Sequence, residues 1–158
     1  MAWYDSIVPM VRVLVNDVDE ETYTSFRLQK VGLVAASYVV SQIPFDNNYV
    51  VNIVASSISP NPETTSPKDY TFINLVSLKS AVLITSSELK TKTRQQISVK
   101  DGPSTIELKE VGESLTAQAE AVLDAYNFAV TNYLAGNSIG GCAVTTPTAV
   151  FIEPPRFI

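Results

Sequence analysis

Between Leu115 and Tyr133, apolar side chains recur at Leu115, Ala119, Val122, Tyr126, Ala129 and Tyr133, at steps of four, three, four, three and four. This near-heptad period gathers all six on one stripe of a helix, and no strand buries such a set on a single face. Glu110 or Glu113 is expected to open the helix, and Gly136-Asn137 to close it. A seam of this length needs apolar partners, and two further segments supply them.

The first runs from Ser25 to Ile43, with Thr24 as N-cap and Pro44 as its stop. Leu28, Val31, Ala35 and Val39 mark one face. Leu33, Val34, Tyr38 and Val40 widen it, so the helix is expected to keep little solvated surface. β-Branching would permit a strand over 31–40, but the polar residues there do not alternate. The second follows Asp69, another cap, with Phe72, Leu75, Val76, Leu78, Val82 and Leu83 as its stripe. Past Ser86 it turns polar at Glu88, Lys90, Lys92, Arg94, Gln95 and Gln96. A buried first half and a solvated or partner-reaching second half follow. Leu28, Val31, Ala35, Val39, Leu75, Val82, Leu115, Val122 and Tyr126 are the expected core and inter-subunit packing positions.

Smaller elements complete the pattern. Trp3 to Val15 reads as a short amphipathic helix with Asp5 as cap and Pro9 near its first turn. Tyr49 to Ala55 is β-branched and reads as a strand. Residues 56–68 hold Pro60, Pro62 and Pro67 and read as a long loop. Residues 97–108 surround Asp101-Gly102 and read as a hairpin. The fold class is mainly α: a compact antiparallel helical bundle with a small β element (short strand and hairpin) and an extended C-terminal arm. The 158 residues divide into a helical domain, 1–137, and the arm, 138–158.

Chemistry is constrained by what the chain lacks. It contains no His and a single Cys, which removes an internal disulfide, a His-containing zinc site and a His-based triad. Cys142 has no neighbouring His to make it a thiolate and reads as an incidental thiol. Asp17, Asp19, Glu20 and Glu21 suggest oxygen ligation, but Thr22 stands where a calcium loop needs Gly, and Leu28 where it needs a carboxylate. A solvated loop or an interfacial salt-bridge patch is the reading. Glu107, Glu110 and Glu113 share helical spacing and suit a helix N-terminus; no His completes a di-iron set. Gly136, Gly140 and Gly141 lack the Lys-Ser/Thr of a phosphate loop. Lys90, Lys92 and Arg94 are basic but have no interleaved aromatics, and the net charge of −5 gives no support for nucleic-acid binding. No metal or other cofactor and no catalytic residue is expected. No signal-peptide pattern and no run of eighteen apolar residues is read, so no membrane partner is expected.

The apolar share of 46% is ample for a core, while charged residues reach only 17% against roughly 25% in an average chain. Such a surface leaves room for neutral interfaces. Residues 138–158 carry Ile139, Val144, Val150, Phe151, Ile152, Phe157 and Ile158, and Glu153 and Arg156 are their only charges. Either this segment folds back over its own domain, or it becomes ordered on another subunit.

The order of several short features resembles the head–tail connector, or adaptor, family of tailed bacteriophages. The resemblance spans roughly Trp3 to Asn137. It rests on Trp3-Tyr4 with Arg12-Val13-Leu14-Val15-Asn16-Asp17, and on Tyr23-Thr24 with Arg27-Leu28 before Ala35-Ala36. Tyr49, Ser59-Pro60, Asp69 with Leu75 to Ala81, Val99-Lys100-Asp101-Gly102-Pro103-Ser104 and Tyr133-Leu134-Ala135-Gly136-Asn137 follow in order. The resemblance implies a structural protein of the virion neck, made in the host cytoplasm. It implies a homo-oligomeric, typically twelve-fold ring beneath the portal protein, extending the DNA channel with only transient contact to DNA. A downstream neck or tail protein would dock on it. The arm, with Ile139, Val144, Val150, Phe151, Ile152, Phe157 and Ile158, maps by position onto the portal-embracing segment of that family. Another phage neck or tail-completion ring, or a monomeric enzyme, is the alternative.

Overall fold

A computed structural model describes residues 1–98 and 105–137, with the backbone alone at 94–98, 105–113 and 137. Its described helices are α1 (Ile7–Leu14), α2 (Ser25–Gln42), α3 (Tyr70–Ser98) and α4 (Thr105–Asn137), with strands β1 (Val50–Asn52) and β2 (Ser57–Ser59). The fold is mainly helical with a short antiparallel sheet.

α3 is the central element because its first half is apolar on almost every side. Phe72, Ile73, Leu75, Val76, Leu78, Ala81, Val82 and Ile84 are all buried. A helix can hide that many directions only when surrounded. α1, α2 and α4 all pack on it. Fully burying side chains such as Phe72 and Leu75 contributes about 1.5–3 kcal/mol each. The polar residues of the same stretch are satisfied internally: Ser77 Oγ donates to the Ile73 carbonyl at 2.8 Å, Ser80 Oγ to Val76 at 2.7 Å and Thr85 Oγ1 to Ala81 at 3.0 Å. By length and composition alone Tyr70–Thr93 is long and apolar enough to cross a membrane, but here it is mostly buried inside the protein. At its end Lys90, Thr91, Lys92 and Thr93 are exposed, matching the expected change of character.

Both expected caps are present. Thr24 Oγ1 accepts from the Arg27 N–H at 3.3 Å, and Asp69 Oδ1 from the Phe72 N–H at 2.9 Å. α2 and α4 each run antiparallel to α3. Phe45, just past α2, meets Phe72 near the start of α3, and Lys79 of α3 lies over the rings of both Tyr38 and Tyr126. Tyr126 donates to Gln42 Oε1 at 3.1 Å, and Tyr133 to the Pro44 carbonyl at 3.2 Å, tying α4 to the end of α2. α1 begins later than expected, with Ser6 rather than Asp5 preceding its first residue; Asp5 Oδ2 instead accepts from the Ala2 N–H at 2.7 Å.

Three expectations are corrected. Within the 56–68 loop, Ser57–Ser59 forms a strand paired with β1 in the register Val50↔Ser59, Val51↔Ile58 and Asn52↔Ser57. Buried Ile58 anchors it. The expected strand 49–55 shrinks to Val50–Asn52, because the chain turns at 53–56, where the Ala55 N–H is captured by Asn52 Oδ1 at 2.8 Å. The expected hairpin 97–108 is replaced by helix on both flanks: Ile97 and Ser98 end α3, and Thr105 to Leu108 open α4. The polar period of α3 simply continues through Ile97, and α4 starts well before Glu110. Residues 99–104, with Asp101-Gly102, lie outside the described residues.

Trp3 fixes the β-hairpin to the bundle. Its Nε1 donates to the Ser56 carbonyl at 2.9 Å, and its ring lies over Gly32, where a Cβ would stand 3.5 Å from Trp3 Cζ3.

Candidate functional site

Three polar clusters merit a test for chemistry, and each has its groups committed to the fold. At the end of α1, Asn16 adopts a left-handed conformation (φ 56°), its N–H donates to the Val13 carbonyl, and the Asp17 N–H donates to that of Arg12 at 2.9 Å. This is the Schellman ending, with Asn in the place usually given to Gly. The Asp17 carboxylate accepts from the Thr22 N–H at 2.8 Å, the Tyr23 N–H at 3.0 Å and Arg12 Nη1 at 3.1 Å. The Thr22 N–H, against the opposing effect of burial, and then the Tyr23 N–H and the Arg12 charge hold this carboxyl below its ordinary range. Arg12 also donates to Ser25 Oγ at 3.0 Å and pairs with exposed Glu20 at 3.4 Å. The acidic group is thus a salt-bridged interhelical loop. Only Asp17 of its four carboxylates is buried.

The second cluster docks loop 56–68 on the start of α1. Glu63 Oε1 accepts from the Ser6 N–H at 2.9 Å, while Lys68 Nζ reaches both Ser6 Oγ at 2.9 Å and the Glu63 carboxylate. Burial alone would raise the Glu63 carboxyl; hydrogen bonds from Lys68 and Ser6 outweigh it and hold it low. In the third, the Tyr49 hydroxyl donates to Asp69 Oδ2 at 2.8 Å beside the N-cap, and its ring stacks on Phe72 at 3.9 Å. Burial, and then the Asp69 carboxylate, raise the Tyr49 phenol. Among the described residues no group of three or more His, Cys, Asp or Glu is placed to hold a metal ion.

Apolar surface also remains open to other molecules. α4 turns Val122, Tyr126, Ala129, Val130 and Tyr133 toward the core, while Phe128 on its far side is 70% exposed. Leu123 and Leu134 are each 41% exposed. Glu120 and Asp124 are the only charges between 114 and 136. On α2, Phe26 is 68% exposed, Tyr38 49% and Val34 39%. The expectation that α2 keeps little solvated surface is therefore corrected for a single copy: one face stays bare. Beside it a groove of about 360 Å³ opens between α2 and α3, lined among the described residues by Arg27, Lys30, Val31, Val34, Leu83, Ile84 and Ser87. The β-hairpin tip adds Val54, 95% exposed.

Of the packing positions read from sequence, Leu28, Ala35, Val39, Leu75, Val82 and Tyr126 are buried, and Val31, Leu115 and Val122 are half-buried. Val31 lines the groove. Leu115 is not part of the buried core, because α4 draws most of its cover from α3 alone. The arm residues Ile139, Val144, Val150, Phe151, Ile152, Phe157 and Ile158, together with Cys142, lie outside the described residues. Sequence reading missed the open face of α2, whose signal was the four-residue spacing of Phe26, Lys30, Val34 and Tyr38. Compared with protein-family models, curated proteins and solved structures, the chain matches none.

Proposed function

We propose that this chain is a structural head-to-tail connector of a tailed phage. It assembles as a closed homo-oligomeric ring, twelve-fold as the family resemblance implies, beneath the portal of the virion. It extends the DNA channel and offers a docking surface to the next neck or tail protein. Residues 138–158 are the portal-binding arm, and no cofactor or reaction is involved. The observation that carries the reading is the pair of bare apolar faces on α2 and α4. They belong to different elements, as a ring requires of its two heterologous contacts, and a lone subunit would leave both in water. A net charge of −5 suits a channel through which DNA slides without being held.

The test is native mass measurement and electron microscopy of the chain with a phage portal ring. The full chain is expected to form a ring on the portal. Deleting 138–158 is expected to abolish portal binding while circular dichroism stays helical. Unchanged portal affinity without the arm overturns its assignment, and loss of the helical fold assigns the segment to the chain's own core. A full chain that stays monomeric and binds no virion component overturns the connector reading.

A further inference from the structure

We propose that the subunit-to-subunit contact of this protein seats the outer face of α4 from one copy in the α2/α3 groove of the next. The inference rests on the ring reading and names the surfaces that make it. Each face lacks what the other has. The groove presents Arg27 and Lys30 beside Val31, Val34, Leu83 and Ile84, and among the described residues no carboxylate lines it. Glu88, the residue after its rim, accepts the Tyr23 hydroxyl. The outer face of α4 presents Glu120 and Asp124, one helical turn apart, with exposed Leu123 and Phe128, and no cation occurs between 114 and 136.

None of these four charges has an ion-pair partner among the described residues. Lys30 is poised at the edge of the apolar surface: its Nζ donates to Ser56 Oγ at 2.7 Å and stands 5.4 Å from the centre of the Phe26 ring. Arg27 lies 4.7 Å over the Tyr23 ring. Both cations are therefore oriented by local contacts while keeping their charge unneutralised. Among the described residues no side chain of α4 lines the groove, so the layer beside α2 and α3 is open to a helix from another copy. A helix with two carboxylates at i and i+4 and apolar neighbours has the complementary chemistry.

Charge reversal tests the pairing of the two faces, and an oligomer larger than a dimer in native mass spectra separates a head-to-tail contact from a two-fold one in which each copy's α4 enters the other's groove. Arg27→Glu with Lys30→Glu gives a chain with two acidic faces; Glu120→Lys with Asp124→Lys gives one with two basic faces. All four side chains are on the surface, and Trp3 fluorescence and circular dichroism report whether each variant folds. Each reversed chain alone is expected to lose the oligomer in native mass spectra, with and without portal. An equimolar mixture is expected to regain it with the two chains alternating, and the chain carrying all four substitutions is expected to assemble like the parent.

Assembly of either reversed chain alone, failure of the mixture, or a parent that is monomeric under every condition overturns the interface. Portal binding is scored separately. Rings that fail to bind portal sink the connector reading and leave the interface standing; portal-bound rings insensitive to the reversals do the opposite.

Discussion

Arg12 and Asp17 meet at the two positions where a Schellman ending ordinarily brings apolar side chains together, and they form an ion pair there, with only 6% and 4% of their side chains exposed. A helix end is thereby fused to the start of the next helix, since the same carboxylate takes the Thr22 and Tyr23 N–H groups and the same guanidinium takes Ser25.

The depressed Asp17 carboxyl has a signed consequence. Unfolded chain takes up a proton at ordinary carboxylate values near 3.8, before the native state does. Stability from this group is thus complete above that pH and lost as pH falls through the lower, folded value. Asp17→Asn is expected to lower the melting temperature at neutral pH and to flatten the acid limb of stability below pH 4 or so. Thermal unfolding followed from neutral pH into acid checks both; an acid limb as steep as the parent's would remove Asp17 from the account. Glu63, also held low, adds to the acid limb in the same sense.

The alkaline side behaves in the opposite sense. Burial, and then the Glu88 carboxylate, raise the Tyr23 phenol above 10.0; Tyr49 is raised similarly beside Asp69, and Tyr126 by burial. A group with a raised folded value stabilises fully below its unfolded value and stops doing so as pH rises through the folded one. Phenolate absorbance is expected to show a late-titrating class that Tyr23→Phe, Tyr49→Phe and Tyr126→Phe each diminish, with stability declining above pH ~10.

Gly32 tells space from strain. A Cβ there meets Trp3 at ordinary contact distance, so Gly32→Ala is expected to be neutral or to stabilise α2 by up to about 1 kcal/mol. Gly32→Leu has no such room and is expected to cost about 1–3 kcal/mol while displacing the indole from Ser56. Denaturant unfolding followed by the single tryptophan measures both effects.

Core truncations rank by depth. Leu75→Ala, at a position 1% exposed, is expected to cost about 2–5 kcal/mol. Leu115→Ala, at a half-buried position outside the core, is expected to cost less than half as much. Equal losses in two-state unfolding would mean that α4 packs more deeply near its start than the structure has it.

What the chain reveals in advance depends on whether the cause is local. Thr24 and Asp69 announce their helices because a cap is a property of three or four neighbouring residues, and the α4 period is visible for the same reason. Ser57–Ser59 stayed hidden because a strand with one apolar residue exists only through its partner, here Val51 across from Ile58. Asp101-Gly102 suggested a hairpin on turn chemistry alone, whereas the helical periods entering from both sides decide the flanks. The ion pair of Arg12 was invisible because Asn16, not Gly, ends α1. The bare face of α2 was misread because apolarity in sequence marks a surface to be covered without saying by which molecule.

Asp69 caps one end of α3's buried stretch and takes the Tyr49 hydroxyl, while Glu88 takes the Tyr23 hydroxyl at the other. These two fastenings lie nineteen positions apart, about 28 Å of helix. Between them Ser80 and Thr85 bond only within their own helix, and Ser77 adds no more than a 3.8 Å contact to Met10 Sδ, so the buried hydroxyls record register weakly and the fastenings strongly. α3 is consequently a ruler with both ends pinned. A residue inserted between Asp69 and Glu88 would unseat one of them and rotate every core side chain beyond the insertion, whereas turns added past Glu88 would lengthen the molecule and leave its interior unchanged.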